Sequence, residues 1–248
     1  MNLDLLDKTV FITGASSGIG AAAAEIFSVE GADVVVSFNE NMDGAEMTAR
    51  KVRANGRRAW LCRMDIGDPG SVRQAVGALA PEASGLDALV VCAGLSLHTE
   101  FAEITADEWE RVMAVNLNGA FYTLQALAPR LRDGGAVVLV SSVSAQTGVS
   151  HQAHYAAAKA GLVNLAKSAA RALAPRIRVN CVTPGITMTP MGLDTIDALD
   201  SDYARNKMLL QRYASPEEIA RLIVFLASPA NSFMTGATVD VNGGRELR

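Results

Sequence analysis

Short apolar runs alternate with longer, alanine-rich stretches from one end of the 248-residue chain to the other. Seven of the runs predict strands: Thr9–Ile12, Val34–Val36, Ala59–Leu61, Leu89–Val91, Val137–Val140, Ile177–Val179 and Thr238–Val241. They are continuously apolar, which is typical of strands covered on both faces, as in a parallel sheet. The stretches between them predict helices at Ala21–Glu30, Gly44–Ala54, Ser71–Leu79, Ala106–Leu131, Tyr155–Leu173 and Pro216–Leu226. This alternation predicts an α/β fold, a doubly wound parallel sheet with helices on both faces.

The alternation also bears on domain organisation. Neither a linker-like stretch nor an internal repeat interrupts it, so residues 1–248 are expected to form a single domain. The segment Ile186–Asn206 is the exception, because it is rich in Met, Asp and Thr and has no clean period. We expect a substrate loop at about 186–206, which is either a lid or binding loop or a disordered segment.

Charge and cysteine content exclude several classes of protein. The 22 basic and 26 acidic residues give a net charge of -4, which argues against nucleic acid or an anionic membrane as a partner. No apolar run approaches the ~18 residues of a membrane span, and the start lacks the basic region of a secretory signal. Cys62, Cys92 and Cys181 have neither metal-ligand nor disulfide spacing. We therefore expect free thiols, no metal site and a cytoplasmic protein.

A glycine-rich turn follows the first predicted strand. It reads Thr13-Gly14-Ala15-Ser16-Ser17-Gly18-Ile19-Gly20 and leads into a helix-like stretch. Such a turn lets the backbone approach a pyrophosphate, and the free N–H groups of the helix N-terminus favour the anion. The spacing is GxxxGxG rather than GxGxxG, so a tightly packed helix start is the alternative. The position after the first strand favours a dinucleotide phosphate site.

The end of the second strand is where the adenosine ribose is usually recognised. An acidic side chain there binds the 2′-hydroxyl of NAD, and a basic one accepts the 2′-phosphate of NADP. This chain has Ser37, Phe38 and Asn39, followed by Glu40. Small polar groups can donate to a phosphate, although Glu40 would oppose it. NADP(H) is the favoured cofactor and NAD(H) is the alternative.

Three polar residues follow the fifth predicted strand, and they suit carbonyl chemistry. Tyr155 and Lys159 stand at i and i+4, so they share one face of a predicted helix. A free tyrosine has a pKa of about 10, which an ammonium group and a cationic nicotinamide would lower. Tyr155 could then give a proton to a carbonyl oxygen that Ser142 polarises. Taken singly, each residue also has a structural explanation, as a helix residue, a solvated charge or a strand-end cap.

In this combination the chain resembles the short-chain dehydrogenase/reductase family, from Lys8 to Gly244. The resemblance rests on the motifs TGASSGIG (13–20), VNLNGAF (115–121), VSSVS, YAAAK (155–159), PGITMT (184–189) and TGATVDVNGG (235–244). The family spacing of 13 residues from serine to tyrosine selects Ser142 over Ser141. The resemblance implies a Rossmann-type fold and hydride transfer between a nicotinamide and a carbonyl or secondary alcohol.

The resemblance also implies a role for each matching position. Tyr155 would be the acid/base, Ser142 would polarise the carbonyl, and Lys159 would lower the tyrosine pKa and hold the nicotinamide ribose. Asn116 would anchor a water that joins Lys159 to solvent, and Asp65 would contact the adenine amino group. The other cofactor positions would be Gly14, Ser16, Ser17, Gly18, Ile19, Gly20, Ser37, Phe38, Asn39, Ile66, Cys92, Ala93, Gly94, Pro184, Gly185, Ile186, Thr187 and Thr189.

One position departs from the family pattern. Where the family has Asn-Asn-Ala-Gly after the fourth strand, this chain reads Val91-Cys92-Ala93-Gly94. Ala93 and Gly94 still permit close approach of the cofactor, but the hydrogen bonds of the asparagine amides are missing. We expect weaker cofactor binding or weaker local stability, without loss of activity.

The leading functional hypothesis is a reductase similar to 3-oxoacyl-[acyl-carrier-protein] reductases, acting on a small carbonyl compound or an acyl thioester. A sugar or polyol dehydrogenase is the alternative. A carrier-protein partner would favour a basic patch, to which Arg130 and Arg132 could contribute, whereas four aspartates of the substrate loop would repel it. These are Asp194, Asp197, Asp200 and Asp202. A non-catalytic sensor or scaffold is the rival from another class, although such proteins typically lose the tyrosine or the lysine.

The three histidines and the helix surfaces have no motif of their own. We expect His98, His151 and His154 to be solvated loop residues, with a substrate contact as the alternative. The resemblance implies a homotetramer or homodimer. Its interfaces would use the predicted helices Ala106–Leu131 and Tyr155–Leu173 and the end of the chain near Val239–Gly244.

Overall fold

One parallel sheet organises the computed structural model, which describes residues 2–247. Seven strands run within this range in the order β3-β2-β1-β4-β5-β6-β7, and every neighbouring pair is parallel. The strands are β1 (Thr9–Thr13), β2 (Asp33–Phe38), β3 (Ala59–Arg63), β4 (Leu86–Val91), β5 (Leu131–Val140), β6 (Arg178–Pro184) and β7 (Thr238–Val241). The predicted doubly wound α/β fold is confirmed, and its strand order reverses between β1 and β4.

Ten α-helices connect the strands of residues 2–247 and cover both faces of the sheet. They are α1 (Gly18–Val29), α2 (Met42–Ala54), α3 (Pro69–Gly77), α4 (Ala106–Met113), α5 (Gly119–Leu127), α6 (Ser144–Thr147), α7 (Ala153–Leu173), α8 (Pro190–Asp197), α9 (Tyr203–Lys207) and α10 (Pro216–Ala227). None of the helices in this range has the length and apolar character that crossing a membrane requires.

The sheet separates two hydrophobic cores, because successive side chains of a strand point to opposite faces. Val10 and Ile12 of β1 pack with α1, α2 and α10, whereas Phe11 packs on the other side with α3, α5 and α7. All three side chains are fully buried. Burial on both faces explains why the strands are continuously apolar in sequence.

The predicted helix Ala106–Leu131 is divided in the structure. A π-helical segment, Ala114–Asn118, separates α4 from α5, and Leu131 already belongs to β5. Within the segment, the Asn116 side-chain amide donates to the Val112 carbonyl, 2.9 Å away. In an α-helix that carbonyl would accept the Asn116 backbone N–H, so the side chain competes with the regular ladder. The strong helical periodicity on either side gives no sequence signal for this interruption.

The segment at 186–206, predicted as a lid or a disordered loop, contains two helices. Thr189 caps α8 by accepting a hydrogen bond from the Gly192 backbone amide at 3.0 Å, and Pro190 occupies the first helical turn. Threonine followed by proline is a helix-start signal that the composition of the segment obscured. The substrate side of the sheet is therefore covered by short helices rather than by irregular chain.

Candidate active site

A cavity of about 320 Å³ lies at the carboxyl ends of the central strands, where open α/β sheets bind ligands. Ser142, Tyr155 and Lys159 all line it. Residues of the segment after β4, of the segment after β6 and of α8 and α9 complete its walls. The structure thus brings three of the four predicted catalytic side chains to one space that is accessible to a small ligand, whereas Asn116 does not line it.

The glycine turn between β1 and α1 is folded tightly enough to admit only glycine at two positions. Gly14 has φ +66°, and a β-carbon there would lie 2.7 Å from the Ala93 Cα. A β-carbon at Gly20 would lie 2.3 Å from the Gly14 carbonyl oxygen. Ser17 precedes α1 in extended conformation and forms no side-chain cap hydrogen bond within residues 2–247. The first amides of α1 therefore stay available, and this cradle fits a pyrophosphate.

The three residues predicted to read the adenosine ribose differ in exposure. The side chains of Ser37 and Phe38 are buried, and Phe38 packs in the first core, whereas Asn39 is exposed. Sequence reasoning missed Arg63, which pairs with Phe38 in the sheet and donates from Nε to the Asn39 carbonyl at 3.1 Å. The contact arises from strand pairing, which no local motif encodes. It places a cation beside the end of β2.

The predicted adenine contact lies in the loop between β3 and α3. Asp65 accepts a hydrogen bond from the Gly67 backbone amide at 2.9 Å, and its own amide donates to the Ser71 hydroxyl at 2.9 Å. Ile66 is buried in the second core. The carboxylate is therefore fixed in orientation by the loop that carries it.

The Cys92 position, where the family has asparagine, is held through its backbone. The amides of Cys92 and Ala93 both donate to the Thr13 hydroxyl, at 3.0 and 3.1 Å. Burial raises the pKa of the Cys92 thiol to about 11, so the thiol is neutral at physiological pH. Thr13 thus joins the ends of β1 and β4 without an asparagine amide. Weaker cofactor binding stays a prediction.

Lys159 is a buried cation next to the tyrosine. Its side chain is 3% exposed, and Nζ donates to the Val140 carbonyl at 3.0 Å. Nζ also lies 5.5 Å from the centre of the Tyr155 ring. The Ser141 hydroxyl donates to the Lys159 carbonyl at 2.7 Å, which fixes this turn of α7 against β5. Burial lowers the pKa of Lys159 to about 8.

Tyr155 has a raised pKa in the cofactor-free protein. Burial raises it to about 12, and a hydrogen bond with Ser142 opposes part of that rise. The Ser142 hydroxyl also accepts from the Ser144 backbone amide at 3.1 Å, which orients it towards the cavity rim. The lowered tyrosine pKa implied by the family resemblance therefore stays a prediction for the cofactor complex, where a cationic nicotinamide adds to the field of Lys159.

Asn116 lies close to Lys159 because of the π-helical segment. Its amide donates to the Leu95 carbonyl at 2.7 Å, and its oxygen accepts from the Leu95 amide at 3.3 Å. Between the two side chains lies Gly94, where a β-carbon would come 2.9 Å from Asn116 Oδ1 and 3.4 Å from Lys159 Nζ. Glycine at this position leaves room for a water between them.

The last residue of β6 and the segment that follows it close one side of the cavity. Pro184, Gly185, Ile186, Thr187 and Thr189 all line it, as the family resemblance implies for the nicotinamide. A β-carbon at Gly185 would lie 2.9 Å from the Asn242 Cα, so β6 and β7 converge here. This convergence brings the end of the chain to the cavity.

The histidines differ from one another. His154 is fully buried in α7, and its Nδ1 accepts from the Tyr155 backbone amide at 3.0 Å, so the expectation of a solvated loop residue is wrong for it. His151 lines the cavity. His98 is exposed at the rim, with its ring centre 5.5 Å from that of His151. Two of the three histidines therefore lie at the substrate side.

Two further polar side chains of the cavity carry no family motif. Gln152 is buried and donates to the Ser96 hydroxyl at 2.7 Å, and both residues line the cavity. Arg245, which follows β7, lines it as well. By contrast, Arg132 lies at the amino end of β5 and forms an ion pair with Asp87. Arg130 and Arg132 are thus at the edge of the sheet opposite the cavity and supply no basic entrance.

Comparison with known proteins agrees with this geometry. A family model described as enoyl-(acyl carrier protein) reductase matches residues 14–246. L-rhamnose 1-dehydrogenase (NAD(P)(+)) of Azotobacter vinelandii is 38% identical over 97% of each chain, and 3-oxoacyl-[acyl-carrier-protein] reductase FabG of Staphylococcus aureus is 35% identical over 96% of this chain and 98% of the relative.

A solved structure extends the likeness to a cofactor complex. The short-chain dehydrogenase of Burkholderia cenocepacia in complex with NADP superimposes with a TM-score of 0.92 at 33% identity, covering 98% of this chain and 99% of that one. Matches of this extent in sequence and in structure show that the chain belongs to the short-chain dehydrogenase/reductase family and is an NAD(P)(H)-dependent oxidoreductase.

Proposed function

We propose that Tyr155 is the general acid/base for hydride transfer between NADP(H) and a small carbonyl or secondary-alcohol substrate. The observation that carries the proposal is the convergence of Ser142, Tyr155 and Lys159 on one cavity, with the Lys159 Nζ 5.5 Å from the centre of the Tyr155 ring. When bound, the dinucleotide supplies the hydride in reduction and accepts it in oxidation.

The protein residues handle the proton. In reduction, the Tyr155 hydroxyl gives its proton to the carbonyl oxygen while the Ser142 hydroxyl donates a hydrogen bond to the same oxygen. Lys159 stabilises the phenolate that results, because its ammonium group lies against the ring. A water in the space beside Gly94 would return a proton from solvent by way of Asn116 and Lys159. In oxidation the same steps run in reverse.

The residues at the end of β2, where the adenosine ribose would bind, favour NADP(H) as the cofactor. No carboxylate stands at Ser37, Phe38 or Asn39 to bind a 2′-hydroxyl. Arg63 supplies a cation within reach of the same end of β2. The Burkholderia cenocepacia relative in complex with NADP has the same fold.

A sugar or polyol is the substrate that the cavity supports best. Ser96, His151, Gln152 and Thr195 give its walls hydroxyl, amide and imidazole groups that can bond substrate hydroxyls. The Azotobacter vinelandii relative is named for L-rhamnose. The absence of Arg130 and Arg132 from the entrance removes the support for a carrier-protein docking patch.

A short 3-oxoacyl thioester is the second candidate. Ile186, Met191 and Leu199 add apolar surface from the α8 side, which suits an acyl chain. The Staphylococcus aureus relative carries a name of this class.

Oligomer and compartment belong to the same proposal. Trp109 on α4 and Phe121 on α5 are more than one-third exposed, which supports a homo-oligomer that covers them. Cys62 is a buried free thiol, and burial raises its pKa to about 11. Reduced thiols suit the cytoplasm.

The decisive assay follows the nicotinamide absorbance of the purified protein. We expect NADP⁺ reduction with L-rhamnose or other sugars and polyols, and slower reaction when NAD⁺ replaces it. NADPH oxidation with a 3-oxobutanoyl thioester, with NADH in parallel, tests the second candidate. Cofactor binding with no turnover of either class in either direction would overturn the proposed function and favour a sensor or scaffold.

A further inference from the structure

Arg245 is a cation at the substrate side of the cavity that the reaction described above does not use. It lines the cavity together with Tyr203 of α9, and its guanidinium carbon lies 5.9 Å from the centre of the Tyr203 ring. The side chain is half-buried. Among residues 2–247, no carboxylate lies within ion-pair distance of it. A half-buried arginine without a counter-charge attracts an anion.

The backbone that carries Arg245 is fixed by a tight turn after β7. Asn242, which is buried, accepts from the Gly244 amide at 2.9 Å through its side chain and from the Arg245 amide at 3.2 Å through its carbonyl. Its own amide group donates to the Glu246 carbonyl at 3.0 Å. The turn therefore holds the backbone of Arg245 in place beside the cavity. A ligand that binds Arg245 does not have to order this part of the chain, which favours binding of the ligand.

The charged side chains that line the cavity are all positive. Lys159 and Arg245 are its cations, and no aspartate or glutamate of residues 2–247 lines it, although the whole chain has a net charge of -4. Asp194 lies at the rim, where its charge acts on His98. Positive groups alone in a concave, partly desolvated space concentrate anionic ligands.

The cofactor phosphates do not account for Arg245. The glycine turn follows β1, whereas Arg245 follows β7, four strands away in the sheet. At about 4.8 Å between neighbouring strands, these two ends are roughly 19 Å apart. The catalytic Ser142 follows β5, between them. Arg245 and the glycine turn therefore lie on opposite sides of the reacting centre.

We propose that the substrate carries an anionic group, a carboxylate or a phosphate, which Arg245 binds while the reacting carbon lies at Tyr155. The proposal rests on the proposed function. It favours, among sugars, polyols and other short hydroxy or oxo compounds, those that carry a carboxylate or a phosphate over their neutral counterparts. The cavity of about 320 Å³ would also have to hold the nicotinamide ring, which leaves room only for a small substrate.

Matched substrate pairs test the proposal. kcat/KM is measured with NADP⁺ for D-gluconate against D-glucitol, 3-hydroxybutanoate against butane-1,3-diol, and D-glucose 6-phosphate against D-glucose. We expect at least one anion to exceed its neutral partner about 10-fold or more, and the carboxylate and phosphate pairs show which group is preferred. In Arg245→Gln this ratio should fall by about 10- to 100-fold, as for loss of a charged hydrogen bond.

Two variants serve as comparisons. Arg245→Lys keeps the charge and should keep most of the preference. Arg205→Gln removes an exposed arginine of α9 that does not line the cavity and should leave the ratio unchanged. Neutral partners that equal the anions, or a ratio that Arg245→Gln does not change, would overturn the proposal. Weaker NADPH binding in Arg245→Gln with an unchanged ratio would assign the residue to the cofactor instead.

Calorimetry separates this proposal from the proposed function. D-gluconate and 3-hydroxybutanoate are titrated into the NADPH-loaded enzyme, where oxidation cannot proceed. Binding of either to the wild type and loss of that binding in Arg245→Gln would support the anion site even if no turnover were found. Equal binding to both proteins, or no binding of either acid to the wild type, would count against it.

Discussion

Tyr155 and Lys159 have displaced pKa values in the cofactor-free protein, and burial is the main cause for both. The Tyr155 hydroxyl therefore keeps its proton to a higher pH than it would in water. The Lys159 ammonium group loses its proton at a lower pH than it would in water. Such opposed shifts at neighbouring groups mark a site prepared for proton transfer. They also make separate predictions for activity and for stability.

Replacement of Tyr155 by phenylalanine tests the acid/base assignment. We expect kcat to fall by about 10²- to 10⁴-fold, because the proton donor is lost while the ring still fills its place. Cofactor affinity, measured by fluorescence titration, should stay near the wild-type value. Tyr213→Phe, at a residue that does not line the cavity, is the matched control. Unchanged turnover in Tyr155→Phe would remove the catalytic role.

Lys159→Met should stabilise the cofactor-free protein at pH 7. The folded-state pKa of about 8 lies below the unfolded value of about 10.4, so between these values the unfolded state binds more protons and stability rises with pH. Below pH 8 the folded protein bears the full cost of a buried charge, on the order of a few kcal/mol. At pH 7 the variant should unfold at a higher urea concentration than the wild type. The two unfolding midpoints should become equal near pH 10. A difference that does not change with pH would contradict this.

Arg63 sets the preference for the 2′-phosphate in our proposal. Arg63→Ala should raise the Kd for NADPH about 10-fold and leave that for NADH within about twofold, because a single charge-assisted contact is lost. Arg53→Ala, at an exposed arginine of α2, is the control. Equal weakening of both cofactors would instead indicate a structural effect on β3.

Among the elements, the π-helical segment Ala114–Asn118 links packing to the site. Asn116→Ala leaves the Leu95 carbonyl and amide without their side-chain partner, so the free energy of unfolding should fall by about 1–3 kcal/mol. Turnover should fall more than that loss of stability explains, because the space beside Lys159 changes. Asn118→Ala, at an exposed residue of the same segment, should change neither. Denaturant titration and steady-state kinetics measure both effects.

Sequence patterns predicted elements well where the signal is local. The glycine turn and the Tyr155–Lys159 spacing each depend on residues that are close in sequence. In the structure the turn forms between β1 and α1, and Tyr155 and Lys159 lie next to each other on α7. Arg63 and Arg245 were missed because strand pairing and sheet order bring them to the site from distant parts of the chain. The π-helical segment was missed because it depends on the Asn116 side chain, whose amide reaches the Leu95 backbone. The helices α8 and α9 were obscured by a composition without a clean period.

At the scale of the whole molecule, exposed aromatic residues predict assembly. Trp109 is 41% and Phe121 44% exposed on α4 and α5, more than a monomer in water favours for such large side chains. Light scattering should report a dimer or tetramer, and Phe121→Arg should reduce its mass at micromolar concentration. Glu30→Arg, at an exposed polar residue after α1, is the comparison and should leave the mass unchanged. A wild-type monomer would exclude the assembly.

The order of the strands also has a consequence for how the protein is made. The cavity draws residues from Ile19 to Arg245, and β1 pairs with β4, which begins at Leu86. During synthesis on the ribosome, the glycine turn between β1 and α1 is made first. The residues after β6 and β7, which line the substrate side of the cavity, are made much later. Arg245 is synthesised after all the other residues that line the cavity. The part of the cavity that we propose for the substrate is therefore complete only once β7 and the turn after it have been made.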